Sequence, residues 1–76
     1  MNAEKRKELA KAIELMEEAK GIIESISEQE QECFDNLSEN LQQSERGQRF
    51  SEIASSLSDV VSTIDEAISE VESASE

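Results

Sequence analysis

The feature that most constrains this chain is a seven-residue apolar repeat in its second half. Phe50, Ile53, Leu57, Val60, Ile64, Ala67, Val71 and Ala74 recur at steps of three and four for four heptads, with Ala54, Val61 and Ile68 flanking that stripe on one side. Such steps keep one face of an α-helix apolar and commit it to packing against another helix, side chains inserted between those of the neighbour. The first half carries a second stripe: Leu9, Ala12, Met16, Ala19, Ile23 and Ile26, broken at Glu30 and resumed at Cys33 and Leu37. Ile13, Leu15 and Ile22 widen it beyond a two-stranded seam, toward the face of a bundle.

Between the stripes, Asp35 to Gly47 is rich in Asn, Ser and Gln, whose side chains compete with helical backbone bonds. A bend belongs there. Ser44 is placed as the N-cap of the second helix, with Glu45 in its first turn where the helix dipole favours negative charge. Ser38 caps a single short turn through Gln43, and Leu37 and Leu41 close the end of the core. The chain is therefore read as one all-α domain over residues 1–76: a two-helix antiparallel hairpin with a helix over about 3–33, a bend over about 34–44 and a helix over about 45–73. Gly21 interrupts the first helix and is read as tolerated there, with close approach of a neighbouring helix as the lesser alternative.

Seventy-six residues lie near the lower limit for folding alone. Two helices cannot enclose side chains that project from three heptad positions each; two hairpins can. The expectation is a homodimer closing into an antiparallel four-helix bundle. Its dimer core is assigned to Leu9, Met16, Ile23, Ile26, Phe50, Ile53, Leu57, Val60, Ile64 and Val71. A larger helical assembly or a host-protein partner would cover the same surface.

Charge is strongly acidic and unevenly placed, 19 Asp and Glu against 7 Lys and Arg for a net −12. Residues 1–20 are neutral overall, while residues 21–45 carry seven acids and no base. If the helices fold back, Lys5, Arg6, Lys7 and Lys11 fall beside Glu70, Glu72 and Glu76, and Arg46 and Arg49 beside Glu28, Glu30, Glu32 and Asp35. Opposite signs meet at both ends, a pattern that selects orientation more than it adds stability. The acidic remainder argues against direct nucleic-acid binding, because a phosphate backbone is repelled by most of the surface and the one basic cluster lacks aromatic neighbours.

The chain is poorly supplied for catalysis. It has no His, so no imidazole base and no Ser-His or Cys-His pair can be assembled within one subunit. Glu-x-x-His motifs for a di-iron bundle are ruled out for the same reason. A calcium loop beginning at Asp35 meets Leu37 where an oxygen ligand belongs, Asn40 where Gly belongs and Arg46 where Glu belongs. Gly21 and Gly47 stand alone and make no phosphate loop. Neither an enzyme nor a cofactor or metal site is expected. Cys33, with no cation close in sequence, is read as a small buried hydrophobe. A single Cys closes no internal disulfide, and no run of seven apolar residues follows Met1. A bacterial cytoplasm is the expected setting, without signal peptide or membrane span.

The segment Glu30-Gln31-Glu32-Cys33-Phe34-Asp35-Asn36-Leu37-Ser38-Glu39-Asn40-Leu41-Gln42-Gln43-Ser44-Glu45-Arg46-Gly47 resembles the bend region of small acidic helical-hairpin proteins of bacteriophages and prophages. In these an acidic helix runs into a Phe-Asp-Asn-Leu turn, then a Leu-Gln and Ser-Glu-Arg-Gly stretch and a second helix. The layout matches over most of the chain and the residues over these eighteen, with Ser38 standing where family members often have Pro and Cys33 where they have Ala. The resemblance implies a phage-related origin and no established activity.

The bend also holds the candidate partner-binding residues Asn36, Asn40, Gln42, Gln43, Arg46 and Arg49, whose alternative role is to cap the two helices and set their angle. The functional expectation is a non-enzymatic protein–protein interaction module, in sharper form an acidic inhibitor that occupies a basic surface on a host nucleic-acid-handling or defence protein. The alternative is a structural or assembly protein that self-associates or joins a virion or its scaffold.

Overall fold

A computed structural model describes residues 1–76 as three helices and no strand: α1 (Ala3–Asp35), α2 (Glu39–Gln42) and α3 (Glu45–Ala74). Each begins at a residue of extended backbone whose side-chain oxygen accepts an N–H three residues on: Asn2 from Lys5, Ser38 from Leu41 and Ser44 from Gly47. These caps satisfy donors that the first helical turn leaves without partners. The two caps at the bend are those read from the sequence; Asn2 is an additional one. The long helices extend slightly past their expected ends, to Asp35 and Ala74.

The last turn of α1 closes with the Asn36 N–H on the Glu32 carbonyl at 3.0 Å and the Leu37 N–H on that of Phe34 at 3.1 Å. Gln42 then reaches back, its Nε2 donating to the Phe34 carbonyl at 3.1 Å. The Ser44 hydroxyl bonds the Leu41 carbonyl as well as capping α3. With α2 reduced to one turn, the chain reverses and α3 runs back along α1. Antiparallel alignment is fixed by Lys20 against Asp65 and by Ser27, whose hydroxyl donates to the Ala54 carbonyl at 2.9 Å.

The seam between the long helices is rotated relative to the stripes that apolar counting picks out. On α3 it runs through Gly47, Phe50, Ala54, Leu57, Val61, Ile64, Ile68 and Val71. Ala54 and Ile68, expected at its edge, are its most buried apolar members at 4% and 6% exposure. On α1 it runs through Leu9, Ile13, Met16, Lys20, Ile23, Ser27, Glu30 and Phe34 and continues at Leu37 just beyond the helix, all half-buried. Of the expected dimer core, Leu9, Met16, Ile23, Phe50, Leu57, Ile64 and Val71 lie in this intrachain seam, Ile53 is half-buried beside it, and Ile26 and Val60 are exposed. Three other expectations are corrected. Cys33 is exposed rather than buried, because it sits one position outside the seam. Leu41 is 53% exposed and does not close the core; Leu37 does so alone. The charges at the two ends make no ion pair within 4 Å, and Lys20–Asp65 is the one such pair in the hairpin.

The hairpin measures 58 × 15 × 12 Å with a radius of gyration of 17.2 Å, where a compact chain of this length would have about 11 Å. Only three residues are buried and no side chain is fully so. The accessible surface is 5729 Å², against about 4,700 Å² for a compact protein of its mass.

The two glycines make opposite predictions. A Cβ on Gly47 would stand 2.2 Å from the Leu41 carbonyl oxygen and 2.7 Å from that of Gln42, both backbone atoms. Around Gly21 nothing lies within 4 Å. Gly21→Ala should therefore stabilise by about 1 kcal/mol through helix propensity. Gly47→Ala should destabilise by about 1–3 kcal/mol, because the bend must shift to admit a methyl group. Thermal melts followed by circular dichroism at one protein concentration should move in opposite directions, by about 4–8 °C per kcal/mol.

Candidate functional site

The six polar bend residues do not form one site. Asn36 terminates α1, Gln43 terminates α2 and accepts from Gln48 Nε2 at 3.4 Å, and half-buried Gln42 ties α2 to the end of α1. These three hold the turn. Asn40, Arg46 and Arg49 are exposed. The Arg46 guanidinium lies 5.8 Å from the centre of the Phe50 ring, a contact worth about 0.5–1 kcal/mol at an exposed position. Arg46 and Arg49 line an open polar hollow with Glu45, Gln48 and Glu52. No group of three His, Cys, Asp or Glu side chains is placed to hold a metal ion, and no helix is long and apolar enough to cross a membrane.

The more coherent surface runs along one side of the rod. Take Ile13 and Met16 as heptad positions a and d in α1, and Gly47 and Phe50 as a and d in α3. The g positions of both helices then fall on one side of the antiparallel pair and the e positions on the other. The e side is polar: Glu17, Glu24, Gln31, Ser51, Ser58, Asp65 and Glu72, with a shallow groove lined in part by Ser27, Gln31, Ser51, Ser58 and Asp59. Beyond the first g position of each helix, Lys5 and Arg46, the g side is apolar, with Ala12, Ala19, Ile26 and Cys33 on α1 and Ile53, Val60, Ala67 and Ala74 on α3. Leu15 and Ile22, at the adjoining c positions, broaden it. Large side chains stand open to solvent there: Leu15 at 55%, Ile22 at 58%, Ile26 at 43% and Val60 at 41%. Between Ala12 and Cys33 the g and c positions of α1 carry no charge. Sequence reasoning placed Ile26 and Val60 in an intermolecular core but treated Leu15 and Ile22 only as broadening the stripe.

Lys20 is the one basic residue within the seam. Its aliphatic stem lies along the helix interface while Nζ reaches Asp65 Oδ1 at 2.8 Å. That hydrogen bond, and then the Asp65 charge, hold the lysine above its ordinary pKa of 10.5.

No protein family, curated protein or solved structure matches the chain. The surfaces themselves are therefore the basis for any functional reading.

The Lys20 shift fixes the sign of one pH effect. A folded-state pKa above the unfolded one contributes stability that is complete below the unfolded value and lost as pH rises through the folded value. The pair is thus intact at neutral pH. Urea midpoints should show wild type losing stability relative to Lys20→Met above about pH 10.5, with their difference constant between about pH 6 and 9.

Proposed function

We propose that this chain is a non-enzymatic protein–protein interaction module that works as a homodimer. Two hairpins would close a four-helix bundle, and the resulting acidic rod would engage a basic surface of a host protein. The observation that carries this reading is the exposed apolar flank. Isolated surface leucines and isoleucines are ordinary, but a heptad-spaced row along both helices of one side is the pattern of a helix face awaiting a neighbour.

Position and area support self-association. The apolar sector of each helix is centred between the seam and the flank, so each helix has one apolar edge turned to its own chain and one left open. A helix in a four-helix bundle needs both edges, since it packs against two adjacent neighbours. The surface in excess of a compact protein, roughly 1,000 Å² per chain, compares with about 800 Å² per partner in a standard interface.

The net charge of −12 motivates the second part of the reading. A rigid acidic rod is complementary to surfaces that bind nucleic acid, and steering of this kind weakens as salt screens it. The likeness of the bend to phage and prophage proteins supports an origin of that kind, with the bacterial cytoplasm as the setting and a nucleic-acid-handling or defence protein as target.

Sedimentation equilibrium at micromolar concentration should give the mass of two chains. Ile22→Glu should return a single chain that remains helical by circular dichroism. A folded wild-type monomer would overturn the dimer, and growth beyond two chains with concentration would favour a structural or assembly role instead. In affinity purification from a bacterial host, the retained protein should have a basic nucleic-acid-binding surface and elute between about 0.1 and 0.5 M salt, over which the screening length falls from about 10 to about 4 Å. Retention unaffected by salt would remove the electrostatic part of the reading.

A further inference from the structure

The two hairpins of the proposed dimer can close a four-helix bundle in two ways. With their bends at the same end, α1 of one chain lies against α3 of the other. With their bends at opposite ends, α1 lies against α1 and α3 against α3. We infer that the second copy seats with its bend at the opposite end, α1 against α1 across the apolar flank. The inference rests on the self-association proposed above and adds its orientation.

Charge separates the two arrangements, and the apolar flank is compatible with the reversed one. First, the α1 flank is complementary to its own reversed copy. When residues whose numbers sum to about 41 are level across the two-fold axis, c positions meet g positions as layers of an antiparallel helix pair require. Leu15 then meets the partner's Ile26, and Ile22 meets the partner's Ala19, a large side chain over a small one. With the bends together, the level partners are instead those of the hairpin itself: Leu15 and Ile22 face Ala67 and Val60, whereas Ile26 faces the level of Ser56 and Cys33 that of Arg49, so apolar matching alone permits either arrangement.

Second, the distribution of charge along the rod favours the reversed arrangement. Residues 21–45, with seven acids and no base, lie at the bend end, whereas Lys5, Arg6, Lys7 and Lys11 lie at the other. Neither set is neutralised within the hairpin, where Lys20–Asp65 is the one ion pair within 4 Å. Reversal lays each basic cluster against the partner's Glu28-to-Asp35 stretch. Lys11 and Glu32, both at f positions bordering the flank, come level with one another twice by symmetry. Bends at the same end would set Arg46 and Arg49 level with the partner's acids but would gather both acidic stretches, fourteen carboxylates against four arginines, at one end of the rod.

Third, the uncharged part of the α1 flank, Ala12 to Cys33, spans the middle of the rod, and its exposed large side chains Leu15, Ile22 and Ile26 surround the midpoint. A two-fold axis at that level buries all three in both copies.

The test measures orientation and association separately. A nitroxide placed on α2 by Asn40→Cys in a Cys33→Ala background reports the distance between bends by pulsed electron spin resonance. The expected separation is about 50 Å, set by the helical rise over the reversed rods, against less than about 25 Å with the bends together. In parallel, Lys11→Glu should weaken dimerisation about tenfold at low salt and Lys11→Glu with Glu32→Lys should restore it to within about twofold. Lys7→Glu, which changes net charge equally but lies off the flank, should weaken it less than Lys11→Glu. A monomer in sedimentation would defeat the pairing itself and this inference with it. A dimer with the short distance would leave the pairing standing and overturn the orientation. A long distance without rescue by the double substitution would overturn the Lys11–Glu32 contact.

Discussion

Contact between α1 and α3 along a single heptad seam is the interaction on which the rest of the structure depends. A helix 30 residues long cannot bury a broad apolar sector against one neighbour, so most seam side chains end half-buried and only Ala54 and Ile68 form a buried apolar core. The bend makes the seam possible. Gly47 lets the start of α3 lie against the Leu41 and Gln42 carbonyls, and the Ser38 and Ser44 caps terminate the chain's excursion within one short helix. Without that close approach α3 would leave the bend at a different angle and the heptads would not meet.

Polar residues within the seam specify its register. Lys20 and Ser27 occupy positions where larger apolar side chains would bury more surface, yet each has a defined partner on α3. A purely apolar heptad seam tolerates sliding by one repeat, since every layer resembles the next. A serine bonded to one carbonyl and a lysine bonded to one carboxylate do not. The Ser27 bond leaves helix geometry intact because the Ala54 carbonyl has a second lone pair to offer.

Charge and apolar surface divide the molecule between them. The e side and the outer faces carry most of the acids, while the flank through Leu15, Ile22, Ile26 and Val60 is nearly free of charge. Repulsion among carboxylates opposes any association that brings the acidic faces together and leaves the flank as the place where a second helical surface costs least to bring near. In the proposed dimer, acidity limits where contact occurs and the apolar flank supplies its free energy.

Much of this architecture is legible in the amino-acid order. Heptad spacing announces two long helices, the run from Asp35 to Gly47 announces a reversal, and Ser38 and Ser44 announce caps, because these are local properties set by side-chain periodicity and by hydroxyl groups near orphan N–H groups. The choice of seam is not local. Apolar counting centres on Phe50, Ile53, Leu57 and Val60, whereas packing draws Ala54, Val61 and Ile68 inward, because small residues near the bend permit the closest approach and Lys20 and Ser27 find partners only in that rotation. The same rotation exposes Cys33 and the flank. Sequence alone thus determined that the chain is helical, doubled back, acidic and broadly apolar along one face of each long helix. Tertiary structure decided which edge of that face the hairpin covers and which it leaves open, since the answer depends on interhelical distance and hydrogen-bond partners that no single helix contains.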